Sequence, residues 1–539
     1  MNNFDSDNSI LGWKASLLIS IFSGFILSLT QPLVIESYSN LPIDPDGYLG
    51  WLGFVAYVPI LLIIKEKNNI QVFMLVFLAS FVQFFIIFHW IIITIAKFAD
   101  ISLIFSIIIC SLLSCLSSLY VAIAFVIANY LFLKLSFKPW ILNPLALCSA
   151  TYISNYGLFG GFSWGHIGYS LANISIFLQG ASLVGVYGLV LFVMLVNAAF
   201  AEIIWTKVKK IKFPKIPVFI AIMLIIFFSI FGLYRLADNN HLTAKYVKIG
   251  LLQGNIKQGI KNKQRFYYDY VIDKYQNLQK LAINDGAEII LWPEVAFPLI
   301  IEKNIKCFKK FKNKTPTLII GATAVKKLNN KFIYYNSAII VAPEKNMRVI
   351  GWRDKTHLVP FGEYIPWPFK AIADKFVPNI VSITPAIDFG PINILLPNGE
   401  KLMIGITICY EGIFPEIFRN LANNGAKIIF NLTNDAWYGV SSAPYQHLNM
   451  YKFRAVETGR NLARVTNTGI SAFIDYNGFV YASTSLYVET VITRNISLAN
   501  DNTIYLIVGD IVPILSIIFL IASLIFALFK YKICVKNSN

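Results

Sequence analysis

Three residues of reactive type stand just past the ends of apolar runs. Glu294 closes "EIILWPE", Cys409 closes "IGITIC", and Lys355 lies between them in "GWRDKTHLVPFGEYIP". Strand ends are where α/β proteins present their chemistry. A thiol attacks a carbonyl only after losing its proton, so it needs a base. A glutamate in a partly dry pocket can take that proton, because burial lifts its pKa. Attack on a carbonyl also leaves a negative oxygen that a cation or N–H donors must stabilise. Lys355 and the backbone N–H of Tyr410 can supply both. A glutamate, a lysine and a cysteine so placed make an acyl-transfer site. Taken singly, each has a plainer reading: a core cysteine, a solvated lysine, and a glutamate that caps a turn after proline. The functional reading rests on the three occurring together.

These residues sit in a chain built largely for lipid. Of its 539 residues, 56% are hydrophobic and 14% charged. Apolar runs of about 20 residues are long enough to cross a bilayer as helices. Eight segments approach that length: 15–33, 50–64, 71–96, 101–133, 139–156, 179–205, 216–236 and 504–529. The second and fifth are the weakest, being short or interrupted by Pro, Gly or Asn. No cleavable signal peptide is evident. The net charge of +17 fits cytoplasmic loops and anionic lipid surfaces, and no nucleic-acid motif accompanies it. With the N-terminus inside, the cytoplasmic side collects Lys14, Lys65, Lys67, Lys134, Lys138, the cluster from Lys207 to Lys215, and the tail from Lys530. The short outer loops hold little beyond Lys97. This bias places residues 237–503 outside the cytoplasm and the C-terminal tail inside.

Three domains are therefore expected: a membrane domain over 1–236, an extracytoplasmic domain over 237–503, and a last helix with a short tail over 504–539. The middle segment alternates strand and helix patterns. Strands are expected at 247–256, 287–294, 315–325, 334–343, 401–410 and 426–435, with two short ones within 463–475. Helices are expected at 265–284 and 446–463. Such alternation predicts a layered α/β domain. Of the six cysteines, Cys110, Cys115 and Cys148 sit in apolar runs and read as small buried hydrophobes. Cys534 lies in the basic tail, and Cys307 has no evident pairing with Cys409. No CxxC or metal-ligand spacing occurs, so neither a disulfide framework nor a metal or other cofactor is expected.

The segments "LWPEVAFP", "DKTHLVPFGEYIP" and "ICYE", in this order within an α/β segment, resemble the nitrilase superfamily. They are closer still to its membrane-embedded branch, the apolipoprotein N-acyltransferases. "QGNI" (253–256) and "NLTNDAWYG" (431–439) add to the resemblance. The layout does too, with N-terminal spans, an outer domain and one C-terminal span. It implies an α-β-β-α sandwich. It further implies that Glu294 is the general base, Lys355 the transition-state stabiliser and Cys409 the nucleophile. Glu363 would be a supporting acid, with Tyr410 and Glu411 shaping the pocket. The implied reaction has two steps. Cys409 takes an acyl chain from a membrane phospholipid as a thioester. The α-amino group of a diacylglyceryl cysteine at the N-terminus of an apolipoprotein then takes it from the enzyme. The phospholipid and the apolipoprotein are thus the implied partners, in a bacterial inner membrane; the sequence does not set the oligomeric state, and a monomer is expected. The family would place a Trp shortly after "QGNI", where this chain has Asn262.

Other features take plainer readings. "LFGGFSWGHIGY" (158–169) reads as an aromatic belt, or else as part of an interfacial entrance. The basic run 303–314 reads as a solvated helix face, or else as a headgroup-binding patch. His89 and His166 read as hydrogen-bonded residues of the bundle, His357 as an orienter of the Lys355 loop, and His447 as structural. Two rival functions remain. A membrane-tethered amidase would use the same three residues with water as acceptor, but has no need of eight lipid-facing spans. A transporter or receptor would need no Glu–Lys–Cys set and would carry charged or broken spans at mid-membrane. The spans here hold almost no charged residues.

Overall fold

The computed structural model describes residues 11–34, 47–98, 101–238, 242–256, 264–306, 316–343, 348–367, 369–370, 382–499 and 502–536. Asn262 and Cys307, with most of the 303–314 run, lie outside the described residues. The chain divides into two compact units. One comprises Met1–Ala237, Val440–Asn449 and Val508–Asn539; the other comprises Asp238–Gly439 and Met450–Ile507.

The first unit is helical. Among the described residues, six helices are long and apolar enough to cross a membrane: Tyr48–Glu66, Asn69–Ile87, Leu103–Leu135, Ala181–Val208, Lys215–Ala237 and Ile511–Lys530. Two further apolar segments are shorter helices. Trp13–Ser28 has 16 residues, and Pro139–Asn155 has 17 with Pro144 in its interior. The run expected at 71–96 is two helices, because the chain breaks between Ile87 and Trp90. Small residues bring the helices close. A Cβ on Gly24 would stand 2.3 Å from the carbonyl oxygen of Ala79, so only glycine fits there. Some buried polar side chains are hydrogen-bonded within the bundle. The Asn197 side chain accepts from the Tyr57 N–H at 2.9 Å and donates to the Gly53 carbonyl at 2.7 Å. His89 places its two ring nitrogens 2.8 and 3.0 Å from the carbonyls of Ile86 and Val34. His166 lies 3.3 Å from the Ser154 hydroxyl.

Residues 440–449 are stitched into this unit. Ser442 accepts from the Val34 N–H at 2.7 Å and donates back to the Val34 carbonyl. Gln446 donates to the Pro32 carbonyl and accepts from Trp164 Nε1 at 2.7 Å. Trp164 and Tyr169, in the stretch read from sequence as an aromatic belt, are almost fully buried. A buried indole needs a partner for its N–H, and Gln446 supplies it.

The second unit has two sheets. Its strands are β1 (Leu242–Gln253), β2 (Ile289–Leu291), β3 (Phe297–Glu302), β4 (Thr317–Leu328), β5 (Lys331–Val341), β6 (Val349–Asp354), β7 (Ile392–Leu395), β8 (Lys401–Ile408), β9 (Ile428–Thr433), β10 (Asn461–Thr466), β11 (Ala472–Ile474), β12 (Val480–Ser483) and β13 (Thr490–Ala499). One sheet runs β13-β1-β2-β4-β5-β6, with β3 beside β4; the other runs β12-β11-β10-β9-β8-β7. Within each sheet the central neighbours are parallel: β1-β2-β4 in one and β8-β9-β10 in the other.

Residue alternation explains the layering. Ile289, Leu291, Ile319 and Ile340 face the other sheet and pack with Ile404, Ile406, Ile428 and Phe430. The alternate residues Ile290, Trp292, Leu318, Ile320 and Ile339 point the other way, onto Val271, Tyr275 and Leu278 of helix Gln264–Asn284. Because side chains alternate along a strand, both faces of such a sheet must be covered. On the second sheet, Gly405 makes room for Leu421 of helix Pro415–Asn423, which a Cβ would approach to 3.1 Å. The result is helix, sheet, sheet, helix, the layering that the resemblance implies. Burying each Ile or Leu in these layers is worth about 1.5–3 kcal/mol, so the sandwich is rigid enough to hold side chains at its strand ends.

Candidate active site

The polar residues of interest lie where the strands run out. Glu294 follows β2, Lys355 follows β6, Cys409 follows β8, and Asn434 follows β9. Lys355 is only 1% exposed. Its ammonium donates to Glu294 Oε1 at 3.2 Å and to Glu363 at 3.0 and 2.9 Å from the two carboxylate oxygens. Asn336, on β5, ties the carboxylates together by donating to Glu294 and to Glu363, each at 2.8 Å. The second oxygen of Glu294 accepts from the Asn434 N–H at 3.0 Å, and that of Glu363 accepts from the Val359 N–H at 2.8 Å. Every oxygen of the two carboxylates is therefore engaged by a donor, which is what a buried ionic cluster requires. Gly321 on β4 permits the arrangement. A Cβ there would meet the Pro293 carbonyl oxygen at 2.0 Å.

Cys409 opens a tight turn, Cys409–Ile413, in the left-handed region with φ 49°. Holding a non-glycine residue there costs on the order of 1–3 kcal/mol and is tolerated only where the surroundings fix it. Glu411 provides much of that fixing. It is fully buried, and one oxygen accepts from the Thr356 N–H and hydroxyl, both at 2.6 Å, and from the His357 N–H at 3.3 Å. The other oxygen accepts from the Ile408 N–H at 2.7 Å. Glu411 thus straps the loop carrying Lys355 to the turn carrying Cys409. The His357 ring packs 3.8 Å from Phe414 and 5.9 Å from Tyr410.

Charge and burial set the protonation states. Burial pushes the Cys409 thiol well above its ordinary value, with the Glu294 charge adding to the rise and Lys355 opposing it. The cysteine therefore rests as a neutral thiol. Burial also raises Glu294, and repulsion from Glu363 adds to this, while Lys355, Asn336 and a hydrogen bond with Cys409 pull it down. Lys355 loses hydration on burial, yet its two carboxylates hold it firmly protonated. A raised carboxylate in contact with a thiol is a better proton acceptor than an ordinary one. This geometry can move the thiol proton onto Glu294 while Lys355 stays charged beside the reacting atoms.

Of the six residues singled out from sequence, Glu294, Lys355, Glu363 and Cys409 come together; Glu411 braces them, and Tyr410 packs edge-on against Phe414 at 5.2 Å. Sequence reasoning missed Asn336. It stands beside Ser337 inside "YYNSAIIVAP", and only the pairing of β5 with β6 brings it beside Lys355, whose N–H donates to the Asn336 carbonyl at 2.8 Å. It also gave no role to Asp435 and Arg464, which form a fully buried ion pair under the site.

Two family models match the chain. The carbon-nitrogen hydrolase model covers residues 248–501, and the apolipoprotein N-acyltransferase N-terminal domain model covers residues 38–199. A Geobacter metallireducens protein named apolipoprotein N-acyltransferase is 31% identical over 92% of this chain and 92% of its own length. One of the same name from Wigglesworthia glossinidia brevipalpis is 32% identical over 90% of this chain and 95% of its own. A Saccharomyces cerevisiae nitrilase-superfamily structure, Nit3, aligns over 51% of this chain and 97% of its own at 16% identity and a TM-score of 0.36, too loose a likeness to argue from. On the two relatives and the two domain matches, the chain belongs to the apolipoprotein N-acyltransferase family.

Proposed function

We propose that this protein transfers an acyl chain from a membrane phospholipid to the α-amino group of the N-terminal diacylglyceryl cysteine of an apolipoprotein. It works by a two-step route through a Cys409 thioester. Glu294 takes the thiol proton as the sulfur attacks the ester carbonyl. Lys355 and the Tyr410 N–H stabilise the oxyanion. Collapse of the tetrahedral intermediate breaks the ester C–O bond and releases the lysophospholipid, whose oxygen takes the proton back from Glu294. In the second half the free amine attacks the thioester. Glu294 then accepts the amine's proton, and the thiol regains one as it leaves. Glu363 keeps Lys355 charged and in place throughout.

Residues 237–503 form the catalytic domain in this reading, between a membrane domain over 1–236 and a last helix and tail over 504–539. The eight apolar segments act as spans, the two short helices included. The lysine bias puts both termini in the cytoplasm of a bacterium and the catalytic domain on the periplasmic side of the inner membrane. Membrane embedding suits the reaction, since donor and acceptor both carry acyl chains that stay in the bilayer. The observation that carries the reading is the buried Glu294–Lys355–Glu363 cluster, electrostatically coupled to a cysteine held in the left-handed region.

Intact-protein mass spectrometry tests it. Purified enzyme incubated with phosphatidylethanolamine and no acceptor should gain the mass of one acyl chain. Neutral hydroxylamine should remove it, a diacylglyceryl peptide should clear it, and Cys409→Ala should never show it. Lipid turnover without an adduct would remove the thioester step. An adduct cleared by water as fast as by the peptide would favour a hydrolase.

A further inference from the structure

The turn that presents Cys409 is held from below by one side chain that the mechanism does not use. Tyr451, on helix Ala443–Thr458, is fully buried, and its hydroxyl donates to the Cys409 backbone carbonyl at 3.0 Å. Its ring is fixed on two sides. The Arg464 guanidinium lies over it at 4.7 Å, and Phe418 meets it edge-on at 5.9 Å. Arg464 is itself anchored by the buried Asp435, whose carboxylate also accepts from the Thr433 hydroxyl at 3.3 Å. The turn is shaped around the phenol, since a Cβ on Gly412 would stand 1.8 Å from the Tyr451 oxygen.

A planar trans peptide points its C=O and its N–H in opposite directions. The carbonyl that Tyr451 grips belongs to the peptide whose other end is the Tyr410 N–H. Fixing one end therefore aims the other. We propose that Tyr451 is a positioning residue: its hydroxyl locks the Cys409–Tyr410 peptide, and so holds the Tyr410 N–H toward the oxyanion formed at Cys409. The inference rests on Cys409 being the acylated nucleophile. Without the hydroxyl the peptide is free to rock. The thiol keeps its base, but the developing oxyanion loses part of its stabilisation.

Two reactions of the same thiol separate this from a general structural role. Alkylation by iodoacetamide needs a thiolate but forms no oxyanion, whereas acylation by an ester needs both. In Tyr451→Phe, acyl-enzyme formation should fall about ten- to a hundredfold, less than deletion of a whole donor causes in other enzymes. Donor KM should hold, and the alkylation rate should stay within about threefold of wild type, the size of one weakened hydrogen bond. Both p-nitrophenyl palmitate and phosphatidylethanolamine serve as acyl donors. Gly412→Ala, which pushes the phenol off the turn, should give the same split.

Acylation of Tyr451→Phe within twofold of wild type would overturn the proposal. So would acylation and alkylation falling together, or a variant that no longer folds, because the hydroxyl would then support the thiol or the whole domain. A wild type acylated by the nitrophenyl ester but not by phospholipid would defeat the functional reading, and the ester would still decide the role of Tyr451. A wild type acylated by neither would overturn both.

Discussion

Glu411→Gln changes one atom in the strap that joins the Lys355 loop to the Cys409 turn. The carboxylate serves four donors: the Thr356 N–H and hydroxyl, the His357 N–H and the Ile408 N–H. A glutamine has one acceptor oxygen and one donor group. Its less costly orientation keeps the oxygen toward Thr356 and His357 and turns the NH2 toward the Ile408 N–H. That exchanges a charge-assisted hydrogen bond of about 1.5–3 kcal/mol for two buried donors face to face, at about 1–3 kcal/mol more. The expected loss is about 3–5 kcal/mol, a large part of the stability of an ordinary domain. For a unit of this size it corresponds to a melting temperature lower by roughly 5–15 °C. The turn lies directly on the weakened contact, so acyl-enzyme formation should fall at least about a hundredfold, as misplacement of a reacting group by an ångström does. Thermal unfolding in detergent and single-turnover acylation read the two effects. A Glu411→Gln protein with wild-type melting and wild-type acylation would refute the strap.

Two other outcomes follow from the cluster. Glu294 must be ionised to act and is raised above its ordinary value by burial and by Glu363. Acylation should therefore fail, as pH falls, at a value above the usual glutamate pKa of about 4.3. Removing the like charge lowers Glu294, so Glu363→Gln should move that acid limb to lower pH; because Lys355 is raised by both carboxylates, the alkaline limb should move down as well. A pH–rate profile of acylation whose acid limb stays put in Glu363→Gln would contradict the assignment. Asn336→Ala removes the donor shared by both carboxylates, and should slow acylation about ten- to a hundredfold with a melting temperature lower by only a few degrees; an unchanged rate in single-turnover measurements would count against its bridging role.

Sequence showed the chemistry more clearly than the scaffold. Glu294 and Cys409 were readable because each ends an apolar run where polar residues are out of place, and Lys355 because it stands in "DKTHLVPFGEYIP", a segment that carries the family resemblance. The strands β1, β2, β4, β5, β8 and β9 were readable because each carries an apolar run rich in aliphatic residues. β6, "VIGWRD", was not, although it delivers Lys355; its glycine and charged end break the pattern. β13, "TVITRNISLA", carries Thr493, Arg494 and Asn495 in a row, which breaks the alternation expected of a strand and looks like surface loop. Asn336 was hidden because its significance depends on a neighbouring strand. Tyr451 was hidden because an aromatic residue in a helix reads as core. The grouping of residues 440–449 with the helices leaves no local mark, since it rests on Ser442 and Gln446 meeting residues some 400 positions earlier in the chain.

The antiparallel pairing of β1 with β13, from Leu242↔Ala499 to Gln253↔Thr490, bears on how the protein is made. The first strand of the domain is finished only when the last one emerges. At ordinary synthesis rates β1 waits on the order of ten to fifty seconds for its partner. Meanwhile it presents an open edge able to recruit a foreign strand. A ribosome that stops between β12 and β13 would release a chain with every catalytic residue in place and the sandwich still open along one side. Such a product is a substrate for quality-control proteases rather than a weak enzyme, and premature termination close to the C-terminus should be as damaging as termination far upstream.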